Sequence, residues 1–115
     1  MSKRVLIVED EEDIREMYSV ILEAKGYQVE TAENGFEGKS LIDSRDYDIV
    51  LSDVNMPKCN GIELFKHWDS KGLDSKFIFV TGHARGSLEM KEIPKDIDIL
   101  DKPISYDELY SIMEK

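Results

Sequence analysis

A chain of 115 residues holding 25 acidic and 15 basic side chains is the length of one domain, and its formal net charge of −10 repels nucleic acid and anionic lipid surfaces. No apolar stretch approaches the ~20 residues that span a bilayer, and the four apolar residues before Glu9 are too few for the core of a signal peptide. Cys59 is the only cysteine, which excludes an internal disulfide and fits a reducing, cytoplasmic setting.

Strand and helix patterns alternate along residues 1–115 without a linker, repeat or low-complexity tract. Val5-Leu6-Ile7-Val8 is a continuous apolar run and predicts a first strand buried on both faces. Asp13, with Glu16 three residues on, reads as the N-cap of a first helix in which Ile14, Tyr18, Ile21 and Leu22 recur at helical spacing. Met17, Val20 and Ala24 widen that apolar arc beyond a core stripe, so the helix either fills a larger core or offers a face to a partner. Gly26 follows as the residue past the helix end. Tyr27 to Ala32 alternates polar and apolar, as an edge strand does. Asn34-Gly35 opens a second helix running to about Ser44, with Phe36, Leu41 and Ile42 assigned to the core. Asp48 to Ser52 is the third strand. Gly61 to Lys71 is a third helix, with Ile62, Leu64, Phe65 and Trp68 inward and Gly72 as its stop. Phe77 to Val80 is the fourth strand, and a short helix over Ser87 to Glu92 must end near Pro94. Ile97 to Leu100 is the fifth strand. Ser105-Tyr106-Asp107-Glu108 is a capping box for a last helix whose apolar face is Leu109, Ile112 and Met113.

Such alternation builds βαβ units, hence an α/β fold: a doubly wound (βα)5 parallel sheet with helices on both faces. The polar second strand belongs at an edge, which the strand order 2-1-3-4-5 satisfies, and the crevice then opens between strands one and three. Asp10, Asp53, Thr81 and Lys102 each end or closely follow a strand, so two carboxylates, a hydroxyl and an amine meet at one rim. The run Glu9-Asp10-Glu11-Glu12-Asp13 suits a solvated helix start, where the dipole favours acids, but its position at a strand's carboxyl end favours a metal site. Magnesium takes hard oxygens, which Asp10 and Asp53 supply with Glu9 nearby. Lys102 is a counter-charge for a carboxylate or an added phosphoryl group, and Thr81 is a donor to an anionic oxygen. An aspartate can accept a phosphoryl group covalently, and positioning with charge neutralisation drives such transfers. Cys59 has no histidine partner and reads as structural, Trp68 as a helix–sheet packing residue and His67 as a surface residue. Gly61 is assigned a tight turn into the third helix.

Together these residues resemble the receiver domains of bacterial response regulators over essentially the whole chain, with a flavodoxin-like fold. Glu9-Asp10 resembles the family's acidic pair, and Asp53-Val54-Asn55-Met56-Pro57-Lys58-Cys59-Asn60-Gly61 its phosphoacceptor loop. Thr81-Gly82 resembles the switch threonine with its small neighbour, and Lys102-Pro103 the Lys-Pro element. The resemblance implies that Asp53 is phosphorylated by a histidine kinase or histidine phosphotransfer protein. It implies that Asp10, Asp53 and the main-chain carbonyl of Asn55 hold Mg2+, with Mn2+ as a substitute, while Glu9 acts through water. It also implies a cis bond before Pro103 and a downstream protein target. One position departs from the pattern: three residues before the lysine, where the family has an aromatic partner for the threonine, stands Ile99.

The expected protein is therefore a phosphoacceptor signalling domain rather than an enzyme with its own substrate. Met1 and the end just after the last helix favour a stand-alone regulator or phosphorelay intermediate over a receiver excised from a hybrid kinase or transcription factor. A phosphatase of the haloacid-dehalogenase type is the enzyme alternative, but it usually carries a second aspartate where this chain has Asn55. A phosphate-independent interaction module is the other alternative, disfavoured by the presence of all four rim residues.

Overall fold

The computed structural model describes residues 3–54, 56, 59–81, 94, 97–101 and 104–114, with only the backbone of Tyr106. Five parallel strands, β1 (Arg4–Val8), β2 (Gln28–Ala32), β3 (Ile49–Asp53), β4 (Lys76–Thr81) and β5 (Asp98–Asp101), form one sheet in the order β2-β1-β3-β4-β5. The helices among the described residues are α1 (Glu12–Ala24), α2 (Gly35–Ser44), α3 (Gly61–Ser70) and α4 (Tyr106–Met113). None of them is long and apolar enough to cross a membrane. The helix expected over Ser87 to Glu92 lies outside the described residues, as do Asn55, Gly82, Lys102 and Pro103.

The sheet is covered on both faces, as the apolar runs require. Leu6, Val8, Val50, Phe77 and Phe79 pack under α2 and α3 with Ile42, Leu64, Phe65 and Trp68. Val5, Ile7, Ile49, Leu51, Ile78 and Val80 pack under α1 and α4 with Tyr18, Leu22, Leu109 and Met113. Each large side chain so buried contributes roughly 1.5–3 kcal/mol. Phe65 meets Phe77 edge-on at 5.4 Å, and Trp68 lies in the same aromatic group and donates its Nε1–H to Ser75 Oγ at 2.6 Å. Trp68 is thus the packing residue its spacing implied.

Three details differ from the expected pattern. Helix α1 begins ahead of Asp13: Arg15 N–H already donates to the Glu11 carbonyl, Glu11 occupies the cap without a side-chain cap bond, and Asp13 sits in the first turn. Phe36 is 56% exposed, because the inner stripe of α2 is Gly35, Gly38 and Ile42. A β-carbon added at Gly38 would stand 3.2 Å from Leu64 Cδ2 and Val8 Cγ2, so α2 approaches its neighbours through glycines and turns the phenyl ring outward. His67 is not a bare surface residue; its Nε2 lies 2.8 Å from Asp43 Oδ1, which Lys71 also reaches at 3.1 Å, tying α2 to α3. Those partners hold the Asp43 carboxyl below its ordinary value, the His67 hydrogen bond being the largest cause.

The caps of the other helices follow the sequence. Asn34 and Asn60 accept N–H groups of Glu37 and Glu63, each at 2.9 Å. Ser105 Oγ accepts from Glu108 N–H at 3.1 Å and donates to Glu108 Oε1 at 3.2 Å. Gly26 (φ 95°) and Gly72 (φ 62°) follow α1 and α3 in the left-handed conformation that ends a helix.

Candidate functional site

β1 and β3 are neighbours in register, Val8 facing Ser52, so the residues beyond their carboxyl ends share one corner. There Glu9, Asp10 and Asp53 each bring a carboxylate oxygen to within 4.8 Å of the others. Glu9 is only 1% exposed and Asp53 8%, whereas Asp10 is open to solvent. Backbone bonds fix this corner. Glu9 N–H donates to the Ala32 carbonyl at 3.0 Å, and Glu9 Oε2 accepts Asp10 N–H at 3.0 Å. Arg15 Nη1 donates to the Glu9 carbonyl at 2.8 Å, a tether from α1 that no spacing rule announced.

Three clustered carboxylates repel one another, and burying an anion as deeply as Glu9 is costly without compensation. A hard divalent cation is the group whose oxygen preference such a corner meets, with one face left open at Asp10 for waters or a further ligand. The donor set thus fits magnesium or manganese.

Asp53 is the last residue of β3 rather than the residue after it, and its strand partner on β4 is Val80. The next residue, Thr81, ends β4, is 2% exposed and alternates with Val80 onto the face that carries Phe79. Ser52, which sequence reasoning passed over, is fully buried, and its hydroxyl donates to the Asp53 carbonyl at 2.9 Å. Val54 N–H returns to the Val80 carbonyl at 3.2 Å, and Gly61 N–H to the Val54 carbonyl at 2.8 Å.

Gly61 serves a different end from the one its position in a loop implied. Its φ is not in the left-handed region, but a β-carbon there would stand 2.9 Å from Val54 Cα and collide with the Asp53 carbonyl oxygen. Glycine lets α3 start directly against the backbone of the candidate acceptor. Gly35 does the same for α2 at Cys59: Gly35 N–H donates to the Cys59 carbonyl at 3.1 Å, and a β-carbon would meet Cys59 Sγ at 2.6 Å. Cys59 is fully buried, and that burial raises its thiol above the ordinary value. Met56 is 8% exposed and belongs to the core beneath α2 and α3.

Ile99 is half-buried on β5, directly across from Phe79, and packs against the core on the same face as Thr81. Asp101 stands across from Thr81. Lys102 follows Asp101 in the chain; it and Asn55 lie outside the described residues.

Known proteins resemble this chain over nearly its full length. The response regulator receiver protein CpdR of Brucella abortus is 32% identical over 114 residues, 98% of this chain and 95% of its own length. The transcriptional regulatory protein DltR of Streptococcus agalactiae is 35% identical over 107 residues, but this chain spans only 48% of it. Among solved structures, the chemotaxis protein CheY4 of Vibrio cholerae matches with a TM-score of 0.87 at 30% identity, covering 99% of this chain and 98% of that one. The response regulator TrrA of Thermotoga maritima, solved in complex with Mg(2+)-BeF, matches with a TM-score of 0.86 at 33% identity, covering 97% and 96%. The model of the response regulator receiver domain matches residues 5–114, and with the acidic corner at the ends of β1 and β3 it places this chain in the receiver domain family of two-component response regulators.

Proposed function

We propose that residues 1–115 form one receiver that accepts a phosphoryl group on Asp53 from a phosphohistidine and signals with it or passes it on. The observation that carries this reading is the meeting of Glu9, Asp10 and Asp53 oxygens within 4.8 Å beside the end of β4. The Asp53 carboxylate oxygen attacks phosphorus, the P–N bond breaks, and its electron pair returns to the imidazole nitrogen of the donor. Asp10, Asp53 and the Asn55 main-chain carbonyl would hold Mg2+ or Mn2+, which supplies neutralisation of the incoming phosphoryl charge. Glu9 keeps Asp10 in place through its backbone N–H bond at 3.0 Å and offers a carboxylate to waters around the ion. Thr81 and Lys102 take the roles of hydrogen-bond donor and counter-charge to the phosphoryl oxygens. Such a protein has no separate substrate to turn over; it catalyses only its own phosphorylation and dephosphorylation.

The partner is a histidine kinase or a histidine phosphotransfer protein, met in the cytoplasm. Helix α1 supports a place for it. Met17 (47% exposed) and Val20 (68% exposed), with exposed Ala24, form an apolar stripe facing solvent, so the wide arc seen in the sequence is not a fuller core. The stripe lies on the helix that begins two residues after Asp10, where a donor histidine must approach. This chain covers 95% of CpdR but only 48% of DltR, and the receiver reading holds whether it acts alone or within a longer regulator.

Incubation with acetyl phosphate and magnesium followed by intact mass measurement tests the central claim. A single phosphoryl adduct is expected. No adduct under conditions that label a known receiver would leave a phosphate-independent interaction module as the better description.

A further inference from the structure

A cleft of about 360 Å³ opens at the end of the sheet where the strands begin, away from the acidic corner. Its walls are the last turn of α2 with Arg45, residues 46–48 entering β3, Trp68 on α3, and residues 72–75 leading to β4. The volume is in the range of small-molecule sites. One wall is fixed in advance: the Trp68 indole is held by its bond to Ser75 Oγ at 2.6 Å and packed on Phe65 and Phe77.

Two features describe what the cleft is complementary to. Leu73, a lining residue, is 40% exposed, an apolar side chain left at the mouth without cover. The charge is lopsided: Asp46, Asp48 and Asp74 line the cleft against Arg45 alone; the Arg45 guanidinium is engaged by Glu30 at 2.7 Å, and Asp48 Oδ2 accepts the Arg4 backbone N–H at 2.8 Å. Helices α2 and α3 both end here, so the partial negative charge of their carbonyl ends adds to that of the carboxylates. An anion is repelled from such a site, and a neutral apolar molecule leaves the acids unused.

We infer that this cleft binds a small amphipathic organic cation. Its apolar body would lie against Trp68, Tyr47 and Leu73, with an amidinium, guanidinium or ammonium head towards Asp46 and Asp74. Cations gain further from aromatic faces. The inference does not depend on phosphoryl chemistry, since none of the lining residues belongs to the acidic corner.

Trp68 is the only tryptophan, so its emission reports the cleft directly. Benzamidinium titrated into the full chain should change that emission saturably, whereas benzoate, a similar ring of opposite charge, should not. In the wild-type protein the largest amide shifts should fall at Tyr47, Leu73 and Ser75. Asp46→Asn combined with Asp74→Asn should weaken benzamidinium roughly fivefold, and Leu73→Ser roughly threefold. Phosphorylation by acetyl phosphate should be unchanged in both variants. An unsaturable response, equal binding of benzoate, shifts centred elsewhere, or wild-type affinity in both folded variants would overturn the site.

Discussion

Gly61 and Asp53 are in backbone-to-backbone contact, so close that a β-carbon at position 61 would stand 3.0 Å from the Asp53 carbonyl carbon. Gly61→Ala must push α3 off the end of β3, a case of overpacking that costs about 1–3 kcal/mol. We expect a lowered melting temperature together with slower labelling by acetyl phosphate, because the same shift moves the Asp53 carboxylate. Wild-type stability in this variant would mean the contact relaxes freely.

Asp53→Asn should abolish the phosphoryl adduct, since the amide is not a nucleophile for phosphorus. Intact mass with acetyl phosphate and magnesium reads this directly. A full adduct on the variant would falsify the assignment of Asp53.

Magnesium should stabilise the fold by relieving the repulsion among Glu9, Asp10 and Asp53. Binding to the folded state alone adds about 2.7 kcal/mol at a hundredfold excess over Kd, a rise of several degrees in Tm. Asp10→Asn removes a direct ligand and should lose at least the roughly 10- to 100-fold in affinity that even an outer partner's removal costs. Unchanged affinity in a magnesium titration would put the ligands elsewhere.

Met17→Glu places a charge on the exposed stripe of α1. Transfer from a phosphohistidine partner should slow roughly tenfold, the contribution of one good interface side chain. Phosphorylation by acetyl phosphate should be spared, since Met17 is no part of the acidic corner. Equal loss of both rates would indicate damaged folding rather than a lost contact.

Phosphorylation should perturb β5 and α4 less than an aromatic switch does. Ile99 packs across from Phe79, is stiff at its first torsion and has no ring to swing when Thr81 is drawn towards phosphate. Amide shifts on adding a phosphoryl mimic should centre on Asp10, Asp53, Cys59 and Thr81. Large shifts along Asp107 to Met113 would point to another switch.

Tyr47 offers a test of buried polarity. Its hydroxyl is shielded from solvent and has no hydrogen-bond partner among the described residues, while burial first and the neighbouring Glu30 charge second push its pKa up to about 12. The unfolded chain releases this proton near 10.0, so stability is full below that pH and falls as pH rises towards 12. Tyr47→Phe should remove that alkaline loss and stabilise the protein by about 1 kcal/mol at neutral pH. Destabilisation in denaturant melts would reveal a real bond to Glu30.

The strands were legible because their apolar runs are continuous, and the polar β2 declared itself an edge; its boundaries shifted by one residue only. The acidic corner was legible because β3 ends in Asp53 and β1 runs straight into Glu9 and Asp10. What stayed hidden depended on contacts between elements. Gly35 and Gly38 form the inner stripe of α2, and a search for large apolar side chains assigned Phe36 there instead. Nothing in the local sequence links Arg15 to the Glu9 carbonyl or Ser52 to that of Asp53. The start of α1 was misplaced because five consecutive acidic positions, 9–13, offer several equivalent caps.

The burial of Cys59 beneath the first turn of α2 makes its thiol a clock for local opening. Its Sγ lies against Gly35 and its ionisation is disfavoured by burial, so an alkylating reagent reacts only when Cys59 parts from the start of α2. The alkylation rate therefore measures how often that contact opens. Any ligand at Asp53 that strengthens that contact slows the rate, and the protein reports its own occupancy through the one sulfhydryl it carries.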